Sequence, residues 1–139
     1  DVAVAQGGTD LILVVDNGGG IPAEDLPLAF ASHATSKLAT ADDLFRIGTL
    51  GFRGEAMASI GGVARVTVQT RPAGPAEGCE VRCDGGELGG VRPWNGSPGT
   101  RVEVRHLFFN VPVRKKFLRT VATEQLRASA TSWSSRSAK

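Results

Sequence analysis

With 139 residues the chain is long enough for one domain and one hydrophobic core. Its hydrophobic and charged fractions, 41% and 22%, are ordinary for a soluble protein. No apolar run approaches the roughly 20 residues of a membrane helix, so no membrane partner is expected. The net charge of +2 permits a local basic patch but does not by itself imply nucleic-acid binding.

In chain order, residues 1–6 and 10–16 alternate or run apolar around Gly7-Gly8, which predicts a hairpin. The chain thus opens inside a strand and has no signal peptide, as expected of a piece of something longer. Residues 22–32 read as a helix, with Pro22 in its first turn and Glu24-Asp25 at its positive end. Pro27 lies inside that stretch and is expected to kink or limit it. Residues 33–50 have no sustained period and read as loop, with a helical turn at 41–45. A short helix at 55–60 follows Gly54, and V-A-R-V-T-V-Q-T at 63–70 alternates as a strand. Residues 77–83 and 86–92 read as two strands joined near Asp84-Gly85, and 100–105 as another. A helix is expected at 113–118, after Asn110-Val-Pro112. The pattern predicts an α+β two-layer sandwich, with a mixed, mostly antiparallel sheet and helices on one face, incomplete at the N-terminus. Residues 1–120 form the expected domain. Residues 121–139 are expected to be a divergent, disordered tail, because they carry almost no apolar period.

Cys79 and Cys83 lie four apart in one predicted strand. Their Cα atoms would then be about 13 Å apart, too far for a disulfide. Two ligands do not make a zinc site, so no metal site is expected there. Free thiols fit a reducing cytoplasm.

Two loops carry the chemistry. The stretch L-V-V-D-N-G-G-G-I-P at 13–22 ends an apolar run on Asp16 and follows it with three glycines. One reading is a turn. The other is a ligand site, in which Asp16 accepts from an exocyclic amine such as adenine N6 and rejects guanine, which presents a carbonyl there. Gly18 and Gly20 would then let a flat ring approach the backbone. Gly18-x-Gly20-x-x-Ala23 also satisfies the dinucleotide fingerprint formally. However, Asp16 occupies the strand end where the first glycine belongs, and Asp42-Asp43 sit in loop-like sequence where a second strand is needed. In the second loop, Gly51 and Gly54 bracket Phe52-Arg53 ahead of a helix whose first N–H groups could hold phosphate. Lys37 could act there as a point charge. Arg53 could hold phosphate or pair with a carboxylate. Glu55 reads as a helix-terminal charge.

D-N-G-G-G-I at 16–21, H-A-T-S-K at 33–37, G-F-R-G-E-A at 51–56, G-T-R-V-E-V at 99–104 and F-F-N-V-P-V-R-K-K-F-L at 108–118 together resemble the MutL family of DNA mismatch-repair ATPases. That family shares its ATPase fold with DNA gyrase, a heat-shock chaperone and histidine kinases (the GHKL superfamily). The resemblance covers residues 1 to about 120 in order and spacing. It implies that Asp16 binds the adenine amine, that Gly18, Gly20 and Ile21 border the base, and that Thr100 supports the contact through water. Lys37 and the backbone of Leu50, Gly51, Phe52, Arg53, Gly54, Glu55 and Ala56 would hold the phosphates of ATP. Residues 31–54 would form a lid that ATP orders as two N-terminal domains dimerise. Other mismatch-repair proteins and DNA would be partners of the parent protein.

The family's catalytic glutamate and its Mg²⁺-holding asparagine would lie on a helix ahead of the first strand. No residue of 1–139 takes either role, nor that of the family's second-domain lysine. The parent is therefore expected to be an ATPase, while this chain alone hydrolyses ATP poorly or not at all and, lacking a covering helix, folds or dissolves poorly. A non-catalytic, nucleotide-gated interaction module and a topoisomerase ATPase subunit are the alternatives. Arg114, Lys115, Lys116 and Arg119 cluster near Arg105 and His106. They form either a solvated helix surface or a salt-dependent contact to DNA phosphates.

Overall fold

In the computed structural model, residues 1–31 and 55–118 are described. They form seven strands and a few short helices: β1 (Val2–Ala5), β2 (Leu11–Asp16), α1 (Ala56–Gly61), β3 (Arg65–Arg71), β4 (Gly78–Asp84), β5 (Glu87–Leu88), β6 (Arg92–Trp94) and β7 (Gly99–Arg105). A further helix, α2, covers 112–118 with Pro112 at its start, where a missing N–H does no harm. The strands make one sheet in the order β1-β2-β7-β3-β4-β5, with β6 also paired to β4. Every ladder among the described residues is antiparallel. β2 and β3 therefore flank β7 and run parallel to each other without touching. This arrangement excludes the dinucleotide-binding fold, which needs adjacent parallel strands.

The register sorts the sheet into two unlike faces, because alternate residues of a strand point to opposite sides. Val14, Val102, Val68 and Val81 stand opposite one another across β2, β7, β3 and β4, and Ile12, Val104, Val66 and Cys83 form the next row. Leu26, Phe30, Met57 and Ile60 pack on this face, which holds the buried core of Val66, Val68, Val81 and Val104. At the β1 end the same face is open: Val2 and Val4 are 70% and 57% exposed. The opposite face is charged. There Glu103 accepts from Arg101 and Arg105, Glu80 accepts from Gln69 and Arg82, and Arg65 pairs with Asp84.

Two expected elements differ. Residues 22–32 do not make an α-helix. Turns over 23–26 lead into a short 3-10 helix, Pro27–Phe30. Pro27 has no N–H to continue an α-helical ladder and instead starts the tighter turn. Even so, this segment delivers Leu26, at 0% exposure, to the core. The strand expected at 86–92 is split into β5 and β6 around Gly89-Gly90, where no side chain supports pairing. The hairpin of β1 and β2, the strands β3, β4 and β7, and α1 lie close to their expected positions. Cys79 and Cys83 are free and buried. Burial, with the Glu24 charge adding to it, pushes the Cys79 thiol up from its ordinary value.

The Arg105 guanidinium hydrogen-bonded to Glu103 holds that carboxyl below its usual range, with Arg101 adding to the effect and partial burial opposing it. A carboxyl with a depressed folded-state pKa stabilises the fold at pH above its unfolded value, about 4.3, and that stabilisation fades as the pH falls through the folded value. Glu103→Gln should therefore be less stable than wild type at neutral pH and should lose less stability below about pH 4.3. Urea unfolding from pH 7 to 3 checks this, and parallel pH profiles for the two proteins would contradict it.

Candidate functional site

At one end of the core face the valine ladder gives way to a polar row. Asp16 pairs with Thr100, and Thr100 pairs with Thr70. All three side chains project to the same side as the valines, towards the helices. Exposure falls along the row, from exposed Asp16 through half-buried Thr100 to fully buried Thr70.

Asp16 is both turn residue and free acceptor. Its Oδ1 accepts from Gly18 N at 2.9 Å and from Thr100 N at 3.3 Å. The first bond closes the turn that ends β2, as Asx side chains commonly do. The second ties that turn to the start of β7. Neither uses Oδ2. Thr70 Oγ1 accepts from Ile21 N at 2.8 Å, and lies 3.1 Å from Gly99 O and 3.2 Å from Thr100 Oγ1. The row thus fastens loop 17–21 to the sheet at both ends.

The glycines have structural duties here. Gly20 has φ +71, and a Cβ on it would fall on the Arg71 carbonyl at the end of β3. Gly99 has φ +119, and a Cβ on it would fall on the Asp16 carbonyl. A Cβ on Gly18 would come within 3.0 Å of Asp16 Oδ1. Close chain packing demands Gly20 and Gly99 whether or not a ring lies against them, while Gly18 is only tightly fitted.

Of the residues singled out from sequence, Asp16, Gly18, Gly20, Ile21 and Thr100 come together at this sheet end. Glu55 and Ala56 stand at the start of α1. Lys37, Leu50, Gly51, Phe52, Arg53 and Gly54 lie outside the described residues, as do the 31–54 lid beyond residue 31, Arg119 and the 121–139 tail. Arg114, Lys115 and Lys116 are on α2, where Arg114 stacks over the Phe108 ring at 5.8 Å and Lys115 is half-buried. Sequence reasoning passed over Thr70 and gave Gly99 no role beyond its place in G-T-R-V-E-V. The available signal was a threonine at an inward position of an otherwise valine-lined strand.

Among the described residues no group of three acidic, histidine or cysteine side chains could hold a metal ion. No helix of the described residues is long and apolar enough to cross a membrane.

An antiparallel sheet with helices on one face, ending in a carboxylate-led polar row beside a glycine-rich turn, is the architecture of the GHKL type. The chain resembles the crystal structure of the N-terminal domain of a DNA repair protein, with a TM-score of 0.64 and 31% identity over 84% of this chain and 32% of that one. The Aquifex aeolicus MutL ATPase domain complexed with ADP aligns with a TM-score of 0.51 and 29% identity, over 87% of this chain and 43% of that one. In sequence the chain is 53% identical over 124 residues to the DNA mismatch repair protein MutL of Xanthomonas campestris pv. campestris (strain B100), covering 89% of this chain. No family model matches. The chain belongs to the MutL family of DNA mismatch-repair proteins. It spans about a fifth of the length of the curated relatives it matches, 20% of the Xanthomonas protein.

Gly20→Ala should destabilise the fold by about 1–3 kcal/mol, since a left-handed φ and a backbone overlap act together. Gly19→Ala, where a Cβ meets nothing within 4 Å, should stay within about 0.5 kcal/mol of wild type. Denaturant titration of both variants checks the contrast, which equal effects would remove.

Proposed function

We propose that this chain supplies the adenine-recognising part of a MutL-type mismatch-repair ATPase. The observation that carries the reading is the held carboxylate. With Asp16 Oδ1 fixed by two backbone N–H groups, Oδ2 has a set direction and accepts the exocyclic amine of adenine. Guanine presents a carbonyl at that position, leaving two acceptors face to face. Gly18, Gly20 and Ile21 border the base, and Thr100 joins through a water that donates to it. Residues 31–54 lie between the base-binding loop and α1 in sequence. Lys37 and the amides of 50–56 are assigned to the phosphates.

Among the described residues no group of three acidic, histidine or cysteine side chains could hold Mg²⁺, which would here be held by the ATP phosphates and water. Hydrolysis of ATP, pairing of two copies on ATP binding and engagement of other mismatch-repair proteins are properties proposed for the whole protein, supported by family membership. A reducing cytoplasm suits its two free thiols.

Asp16→Asn is close to isosteric and tests the reading sharply. Asparagine Oδ1 can keep both backbone bonds, while its amide turns a donor to the base. Calorimetric titration should show wild type preferring ATP to GTP. In the variant, ATP affinity should fall by about 10- to 100-fold, the worth of a hydrogen bond to a charged group, and the preference should relax. Absence of nucleotide binding in wild type, or unchanged selectivity in the variant, would refute the proposal.

The basic helix α2 is proposed to contact DNA phosphates through Arg114, Lys115 and Lys116, with Arg119 next in sequence. Removing one phosphate-binding cation should reduce the slope of log affinity against log salt by about 0.9. Reversing Lys115 and Lys116 together should therefore lower that slope by about 2 and abolish retention on DNA at low salt. Retention and slope identical to wild type would instead leave α2 a solvated surface.

A further inference from the structure

Thr70 is 0% exposed, yet its hydroxyl meets three polar groups: Ile21 N at 2.8 Å, Gly99 O at 3.1 Å and Thr100 Oγ1 at 3.2 Å. A threonine hydroxyl has one proton and two lone pairs. The Gly99 carbonyl can only accept, so it takes the Thr70 proton. The Ile21 N–H can only donate, so it takes one lone pair. What remains for Thr100 is the second lone pair. Only one assignment satisfies all three groups, and in it the Thr100 hydroxyl points its proton inward to Thr70.

We propose that Thr70 is a specificity-positioning residue, which turns Thr100 into an acceptor by tying up its proton. Towards Asp16, Thr100 then shows lone pairs alone. The carboxylate and Thr100 together present acceptors and no side-chain donor to the bound base. Such an edge takes an amino group, or a water that donates to it, and opposes a ring carbonyl. Thr70 does not touch the ligand. Its effect reaches the base through the direction of one hydroxyl. This rests on the adenine-nucleotide reading above and deepens it.

The test is titration of the full chain with ATP and GTP for wild type, Thr70→Val, Thr70→Ser and Asp16→Asn. Valine keeps the shape but frees the Thr100 proton, which can then donate to the guanine carbonyl. The ATP-over-GTP preference should fall about tenfold, one neutral hydrogen bond's worth. Serine restores the hydroxyl and should stay within about twofold of wild type. An unchanged ratio in Thr70→Val, or equal loss of both affinities, overturns the proposal and leaves Thr70 a packing residue. If Asp16→Asn relaxes selectivity and Thr70→Val does not, only the Thr70 inference fails. If wild type shows no preference for ATP, the nucleotide reading fails and takes this inference with it. Should Thr70→Val not fold, hydroxyl-proton exchange in wild type decides by nuclear magnetic resonance. A Thr100 hydroxyl proton slow to exchange supports the proposal, and one exchanging as fast as an exposed threonine overturns it.

Discussion

One carboxylate oxygen organises the end of this sheet. Asp16 Oδ1 receives an N–H from the turn it begins and another from the strand beside it. A bond from an amide to an ionised carboxylate is stronger than a neutral one. Two of them hold the side chain in one orientation before any ligand arrives, which reduces the ordering that binding would otherwise require. Gly99 makes the arrangement possible. Its φ of +119 brings β7 against the Asp16 carbonyl, so that the next N–H, that of Thr100, reaches the carboxylate. The turn, the strand pairing and the free acceptor are thus one structure, not three.

The two faces of the sheet explain why the site lies where it does. On the charged face, Glu80, Asp84 and Glu103 all have arginine partners within salt-bridge distance. Their charges are largely answered on the protein itself, and the pair exposed on both sides, Arg65–Asp84, contributes little. On the other face Val66, Val68, Val81 and Val104 are buried under the helices, and polar side chains occur only where the valine rows end. A planar, partly apolar ligand with a polar edge would suit that boundary, with apolar side chains available to its ring and Asp16 and Thr100, backed by the buried Thr70, available to its edge.

Much of this was legible from single-strand patterns. Period-2 alternation marked β3, and the apolar run ending on Asp16 marked both β2 and the turn after it. The expected helix at 22–32 failed because one proline outweighed a favourable first turn. The strand expected at 86–92 failed because Gly89-Gly90 left two short pairings in place of one. The site was half legible. D-N-G-G-G-I displayed the acceptor, but Thr70 acquires meaning only through register. It stands opposite Thr100 because β7 inserts between β2 and β3, a pairing between segments far apart in sequence that no local pattern encodes. Gly20 was legible as a glycine, but the Arg71 carbonyl that a Cβ on it would meet was not, because that group comes from β3, far away in sequence.

The turn between β7 and α2 adds a further constraint. His106 and Phe108 both have left-handed φ, +53 and +61, a conformation that costs non-glycine residues about 1–3 kcal/mol each. It persists because its amides are taken up elsewhere in the chain. Leu107 N–H donates to Thr9 O, Phe108 N–H to Val63 O and the Asn110 side-chain amide to Gly62 O. The last two acceptors belong to the short link between α1 and β3. The basic helix α2 is therefore clasped to the C-terminal end of α1, the same helix that G-F-R-G-E-A runs into at its other end. A shift of α1 along the sheet must either carry α2 with it or break hydrogen bonds that hold two strained residues in place.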